Sequence, residues 1–125
     1  MSDEAIEQEI QSKGLAAPRI TPADIEANIA SEHYFTADAG VIASSPKSMS
    51  DEELNAIPAS LSQVTFCILV LHNGTKIVGI NYGAIDPAQH SAERGRADAR
   101  AQAVEQIWPL MGYELRSRLA EKDVQ

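Results

Sequence analysis

The sequence predicts an α+β fold from three observations. A β-rich apolar run turns at Asn73-Gly74 and returns. A Thr-Pro pair opens a helix near residue 21. After residue 90, small and apolar residues recur every four positions. At 125 residues the chain suits one domain. Residues 1–19 read as an N-terminal extension and 20–125 as a single α+β domain.

The elements follow in chain order. Residues 1–13 have the pattern of a short amphipathic helix, with Ile6 and Ile10 four apart among glutamates, Ser2 or Asp3 as cap and Gly14 as stop. Thr21-Pro22-Ala23-Asp24 starts the next helix: threonine suits the cap, proline the first helical position, and aspartate the exposed amides. Its expected span is about 22–33, with Ile25, Ile29 and His33 inward, and Phe35 is expected in the core. Residues 36–62, rich in Ser, Ala, Pro and Asp, read as an irregular loop. Within it, Ser50 and Glu53 have capping-box spacing and promise one helical turn from Asp51 to about Ala56.

Residues 63–83 carry the hairpin. Val64 to Leu71 is β-prone, and Asn73-Gly74 is the preferred pair of a two-residue type I′ turn. That turn sets His72 opposite Thr75. Phe66, Ile68, Val70 and Ile77 then share one face, and Cys67, Leu69, Leu71, Val78 and Ile80 the other. Both faces are apolar, so each needs a cover: helix, the long loop or another subunit. The last region is expected as a kinked helix over about 91–122, broken near Pro109 because proline removes a backbone donor. Gly95, Ala99, Ala103 and Ile107 form its stripe, able to approach the hairpin or a partner helix closely. Beyond the break, Leu115 and Leu119 face inward beside Tyr113.

Composition excludes several functions. No apolar run approaches the ~20 residues that span a bilayer, and the acidic N-terminus lacks the pattern of a signal peptide. One cysteine rules out an internal disulfide and a cysteine-based zinc site, and suggests a reducing location. The net charge is −8. Residues 1–62 hold eleven acids and three bases, and residues 63–125 seven of each. This argues against a broad nucleic-acid footprint, and fits either solubility or docking to a basic partner.

A search for chemistry finds no enzyme. His33, His72 and His90 stand in no metal-ligand spacing. Cys67 sits mid-strand, where a thiol is packing material. No nucleophile elbow, phosphate loop or dinucleotide fingerprint occurs, and no cofactor or metal is implied. The candidate site is arginine-rich. Arg96 and Arg100 lie one helical turn apart, and Arg94 adds a third guanidinium near the helix start. Such forks can hold a phosphate or carboxylate, or can simply pair with Glu93, Asp98 or acids of the first half. Trp108 and Tyr113, flanking Pro109, are either core anchors or an exposed contact.

Four stretches of the chain carry a resemblance: Ser31-Glu32-His33-Tyr34-Phe35-Thr36, Leu61 to Gly79, Gly95-Arg96 with Ala99-Arg100-Ala101-Gln102-Ala103, and Ile107-Trp108-Pro109-Leu110-Met111-Gly112-Tyr113 with Leu115-Arg116. On these residues the chain from Ile20 onward resembles the gene product 49 / gene 66 family of small tailed-phage proteins. Thr75 and His90 stand where the family often has aromatics, and Met111 where it often has an acid. The resemblance implies a phage or prophage origin and a family without an established general activity.

These readings converge on a small non-enzymatic phage protein acting in the host cytoplasm, an accessory or counter-defence factor. It would block a host protein, or sequester a small anionic, nucleotide-like ligand at Arg94, Arg96 and Arg100, with Trp108 and Tyr113 as further contacts. A homodimer is expected, burying the second hairpin face together with the Gly95-Ala99-Ala103 stripe. The alternative, from another class, is a minor virion structural or assembly protein.

Overall fold

A hairpin with apolar residues on both faces cannot stand alone in water. Here it is joined by a third strand at one edge and covered by a long helix on one face. The structure, a computed structural model, describes residues 3–6 and 17–124. The elements are α1 (Pro22–Ala27), β1 (Ile29–Thr36), α2 (Ala37–Ala43), α3 (Asp51–Asn55), a 3-10 turn (Ala59–Gln63), β2 (Thr65–Leu71), β3 (Lys76–Asn81), a second 3-10 turn (Pro87–Gln89) and α4 (Ala92–Val124). Residues 3–6 are helical. The rest of the helix expected over 1–13, with its Gly14 stop, lies outside the described residues.

Helix α1 begins as its sequence dictates. Thr21 Oγ1 accepts from the Asp24 amide at 3.1 Å, and the Asp24 carboxylate accepts from the Thr21 amide at 2.9 Å. It ends at Ala27, however, not near residue 33. Ile29–Thr36 is instead an edge strand, antiparallel to β2, in a sheet of order β1-β2-β3. Ile25 and Ile29 carry helical spacing, but the β-prone Tyr34-Phe35-Thr36 pairs with Cys67, Phe66 and Thr65, and this tertiary pairing prevails. A bulge between Ile29 and Ser31 marks the turn from helix into strand. His33 therefore lies mid-strand, not at a helix end. Phe35, expected in the core, is 40% exposed and stacks on Phe66 with ring centroids 4.9 Å apart.

The hairpin forms where expected, but one residue out of register on β3. Gly74 has φ +88°, whereas no non-glycine residue among those described has positive φ. A type I′ turn needs positive φ at both central positions. The chain instead makes a three-residue loop, with the Gly74 amide donating to Leu71 O and the Leu71 amide to Thr75 O. Val70 then pairs with Lys76, and Leu69 with Ile77. A one-residue slip turns every β3 side chain over. Ile77 and Gly79 face the core with Cys67, Leu69 and Leu71, while Val78 and Ile80 join Phe66, Ile68 and Val70 on the opposite face.

Helix α4 covers the core face. Ala99, Ala103 and Ile107 are wholly buried with Ile25, Cys67 and Leu69. The approach is close: a methyl added at Gly79 would overlap the Ala99 carbonyl oxygen and lie 2.7 Å from the Ala103 nitrogen. The small-residue stripe is thus spent inside the chain. The part of the expected dimer contact that used it is corrected. Nor does α4 break at Pro109, which sits inside one continuous helix. Pro109 is on the exposed side, where water can serve the carbonyl it leaves without a donor. Leu115 and Leu119 are half-buried on the last turns.

Residues 36–62, expected as irregular, hold α2, α3 and most of the first 3-10 turn. The Ser50–Glu53 capping box starts α3 as its spacing predicts.

Candidate functional site

The arginines do not converge on one site. Arg100, on the β1 side of α4, is saturated by carboxylates. Its Nη1 and Nη2 donate to Glu26 at 3.0 and 2.7 Å, and its Nε and Nη2 donate to Glu32 at 3.1 and 3.2 Å. Tyr34 Oη donates to Glu32 at 2.8 Å. This fork ties α1 and β1 to α4. Its hydrogen bonds hold the Glu26 and Glu32 carboxyls below the usual carboxylate range and raise Arg100 further. Burial, and then the bond to Glu32, push the Tyr34 hydroxyl up; burial likewise raises the Cys67 thiol beside it. Cys67 is wholly buried and protonated, which makes it a packing residue.

Arg94 pairs loosely with Asp98 at 3.7 Å. It lines a cleft of about 300 Å³ with Asn81, His90 and Gly95, where Ser91 Oγ caps the start of α4 by accepting from the Arg94 amide. Arg96 makes no ion pair with any described residue. It lines a separate cleft of about 130 Å³ at the β1 edge with Tyr34, Phe35, Thr36 and Thr65. The aromatic candidates also separate. Trp108 is half-buried against the core, its Nε1 without a hydrogen-bond partner, whereas Tyr113 is 76% exposed on the last part of α4. Among the described residues no group of His, Cys, Asp and Glu could hold a metal ion.

The sequence reading caught one further feature only in part and missed a second. The first is the open sheet face. Phe35, Phe66, Ile68, Val70, Val78 and Ile80 form an apolar surface opposite α4, half-buried to exposed, with α2 packed at its Phe35 end. The apolar alternation signalled that surface, but the register error misassigned its β3 members. The second is a difference between the sheet edges. Along β3, Gln102 Oε1 accepts from the Ile80 amide at 2.6 Å, and Gln106 Nε2 donates to the Val78 carbonyl at 2.8 Å. Two glutamines of α4 thus occupy the middle of that edge. Along β1 no side chain does the same among the described residues.

A family profile, that of the phage protein family N4 Gp49/phage Sf6 gene 66, matches residues 20–119. The chain belongs to this phage protein family. No curated protein and no solved structure matches the chain. The family match begins just before the Thr21 cap and ends within α4, so it takes in the whole sheet, the Arg100 fork and both glutamines. Met111 is partly buried and packs against the core. Among the described residues no helix is long and apolar enough to cross a membrane.

Proposed function

We propose that this phage protein is a non-enzymatic binding protein that acts inside the host cell, using its open sheet face to occlude a host protein as an accessory or counter-defence factor. The observation carrying this reading is the apolar surface of β1, β2 and β3 opposite α4, with Val78 44% exposed and Phe35 40% exposed. Contiguous exposed apolar surface of this kind marks interaction sites. A net charge of −8 favours a partner whose apolar patch has a basic rim. Sequestration of a small anion is the weaker mechanism. Arg100 is already matched by two carboxylates, and Arg94 and Arg96 line separate clefts.

The test is Val78→Lys, which plants a charge in the face without removing a buried contact. Tagged wild-type protein should retain a defined host protein from infected-cell lysate, and the lysine variant should lose it while keeping its melting temperature. Phage carrying V78K should plate as poorly as a deletion phage on hosts where the gene matters. Equal capture by both forms would remove the face from the argument. Abundance in purified particles by mass spectrometry, with no effect of V78K on plating, would favour the virion-assembly alternative.

A further inference from the structure

We infer that β1 pairs with β1 of a second copy of this chain, antiparallel and centred on Tyr34, to make one continuous six-stranded sheet. The phase of the ladder comes from the Ala37 amide, which donates to Val64 O at 2.9 Å just beyond the strand. Backbone groups alternate along an antiparallel strand. Ser31, His33 and Phe35 therefore bond to β2, and Glu32, Tyr34 and Thr36 turn their amides and carbonyls away from it. The amides of Glu32, Tyr34 and Thr36 and the carbonyls of Glu32 and Tyr34 have no hydrogen-bond partner among the described residues, while the Thr36 carbonyl opens α2 as its N-cap. An edge in this condition is a template for another strand. The β3 edge is obstructed, because Gln102 and Gln106 take up the Ile80 amide and the Val78 carbonyl at its middle.

Charge selects the register and the occupant. Pairing centred on residue 32 would set two Glu32 carboxylates against each other, a like-charge contact that destabilises a sheet. Centred on Tyr34, Glu32 of each copy lies opposite Thr36 of the other, and about four backbone hydrogen bonds form across the two-fold axis. Glu32, Tyr34 and Thr36 share the α4 face of the sheet, and Thr36 lines the same cleft as Arg96. The Glu32 carboxylate of one copy, which already accepts from Arg100 and Tyr34 of its own chain, thus brings its remaining lone pairs toward the Arg96 guanidinium of the other, a cation with no ion-pair partner among the described residues. The two-fold axis makes this contact twice. On the opposite face, His33 of each copy meets Phe35 of the other. The Phe35–Phe66 stacks then join the two open faces into one larger apolar surface. The pairing uses backbone edges and leaves the open faces free, so its test is separate from that of V78K.

The full-length chain is measured by light scattering over a range of concentrations. The expected mass is twice the 13.5 kDa of one chain. Arg96→Glu should weaken the dimer at least tenfold, and V78K should leave it intact. Register is read by mixing His33→Cys protein with Phe35→Cys protein under oxidation. These positions form a non-hydrogen-bonded pair across the new junction, with Cα atoms ~4.5 Å apart, within disulfide reach. The mixed disulfide dimer should form, and neither variant alone should cross-link efficiently. A mass of 13.5 kDa at every concentration, together with no mixed cross-link, would overturn the inference. So would efficient cross-linking of H33C with itself, which would place the axis elsewhere, or dispersal of the dimer by V78K with R96E silent, which would place the contact on the open face.

Discussion

At the scale of single residues, Arg100 organises the first third of the domain. It makes four hydrogen bonds to Glu26 and Glu32. Replacing it with alanine leaves two carboxylates facing each other without a counter-charge. Both are more than one-third exposed, so solvent screening limits the expected loss to about 1–2 kcal/mol by urea unfolding at pH 7. The pH dependence has a definite sign. Both carboxyls are held below their unfolded values, so their contribution is full above about pH 4.3 and disappears as the pH falls through the folded values. Stability curves of wild type and R100A should therefore converge as the pH falls through the folded values; curves that stay parallel throughout the acid range would show that the fork contributes nothing through charge. The sequence made Arg100 visible as a guanidinium that needs a carboxylate, and acids of the first half were among the partners considered. It could not say which ones, because Glu32 and Glu26 lie 68 and 74 positions away. Only the packing of β1 and α1 beside α4 joins them.

At the scale of elements, local chemistry was most legible where it acts over three or four residues. The Thr21–Asp24 and Ser50–Glu53 capping boxes, the Ser91 start of α4 and the four-residue stripe of that helix are all such cases. It was least legible where a partner strand decides. Ile29–Thr36 contains Ile29 at helical spacing from Ile25, and nothing within the segment announces β2 as its neighbour. The Asn73-Gly74 pair marks the turn, but its type depends on whether one residue or two take positive φ. One did, and the faces of β3 exchanged. Pro109 shows a local rule overridden by packing. Ile107 is wholly buried, and Trp108 and Met111 pack against the core on either side, which keeps the helix continuous through a residue that opposes it. Pro109→Ala restores the missing backbone donor and should stabilise the protein by about 1–3 kcal/mol, against the ~3 kcal/mol cost of an interior proline. Calorimetry would read this as a higher melting temperature. A lower one would show that the proline itself packs.

At the scale of the whole molecule, α4 has two tasks performed by neighbouring positions. Its buried residues Ala99, Ala103 and Ile107 fill the core, while Gln102 and Gln106 reach past that core to the rim of β3. The sheet is thereby covered on one face, open on the other, sealed along β3 and bare along β1. Removing the seal is a direct probe of this design. In Gln102→Ala with Gln106→Ala, the amide of Ile80 and the carbonyl of Val78 lose their partners. The double variant should keep its far-ultraviolet spectrum but scatter light as species larger than two chains, increasingly with concentration. A double variant that sediments like wild type would show that the glutamines are incidental.

The glutamine seal gives the sheet a valence of one. A strand layer with two free rims can add subunits at both ends, and such growth has no natural stop, as in cross-β fibres. With one rim closed, each subunit can join only once. In the proposed pairing, two subunits then join at their β1 rims and growth ends at its first step. Two side chains on a neighbouring helix are enough to separate a finite particle from an open-ended fibre.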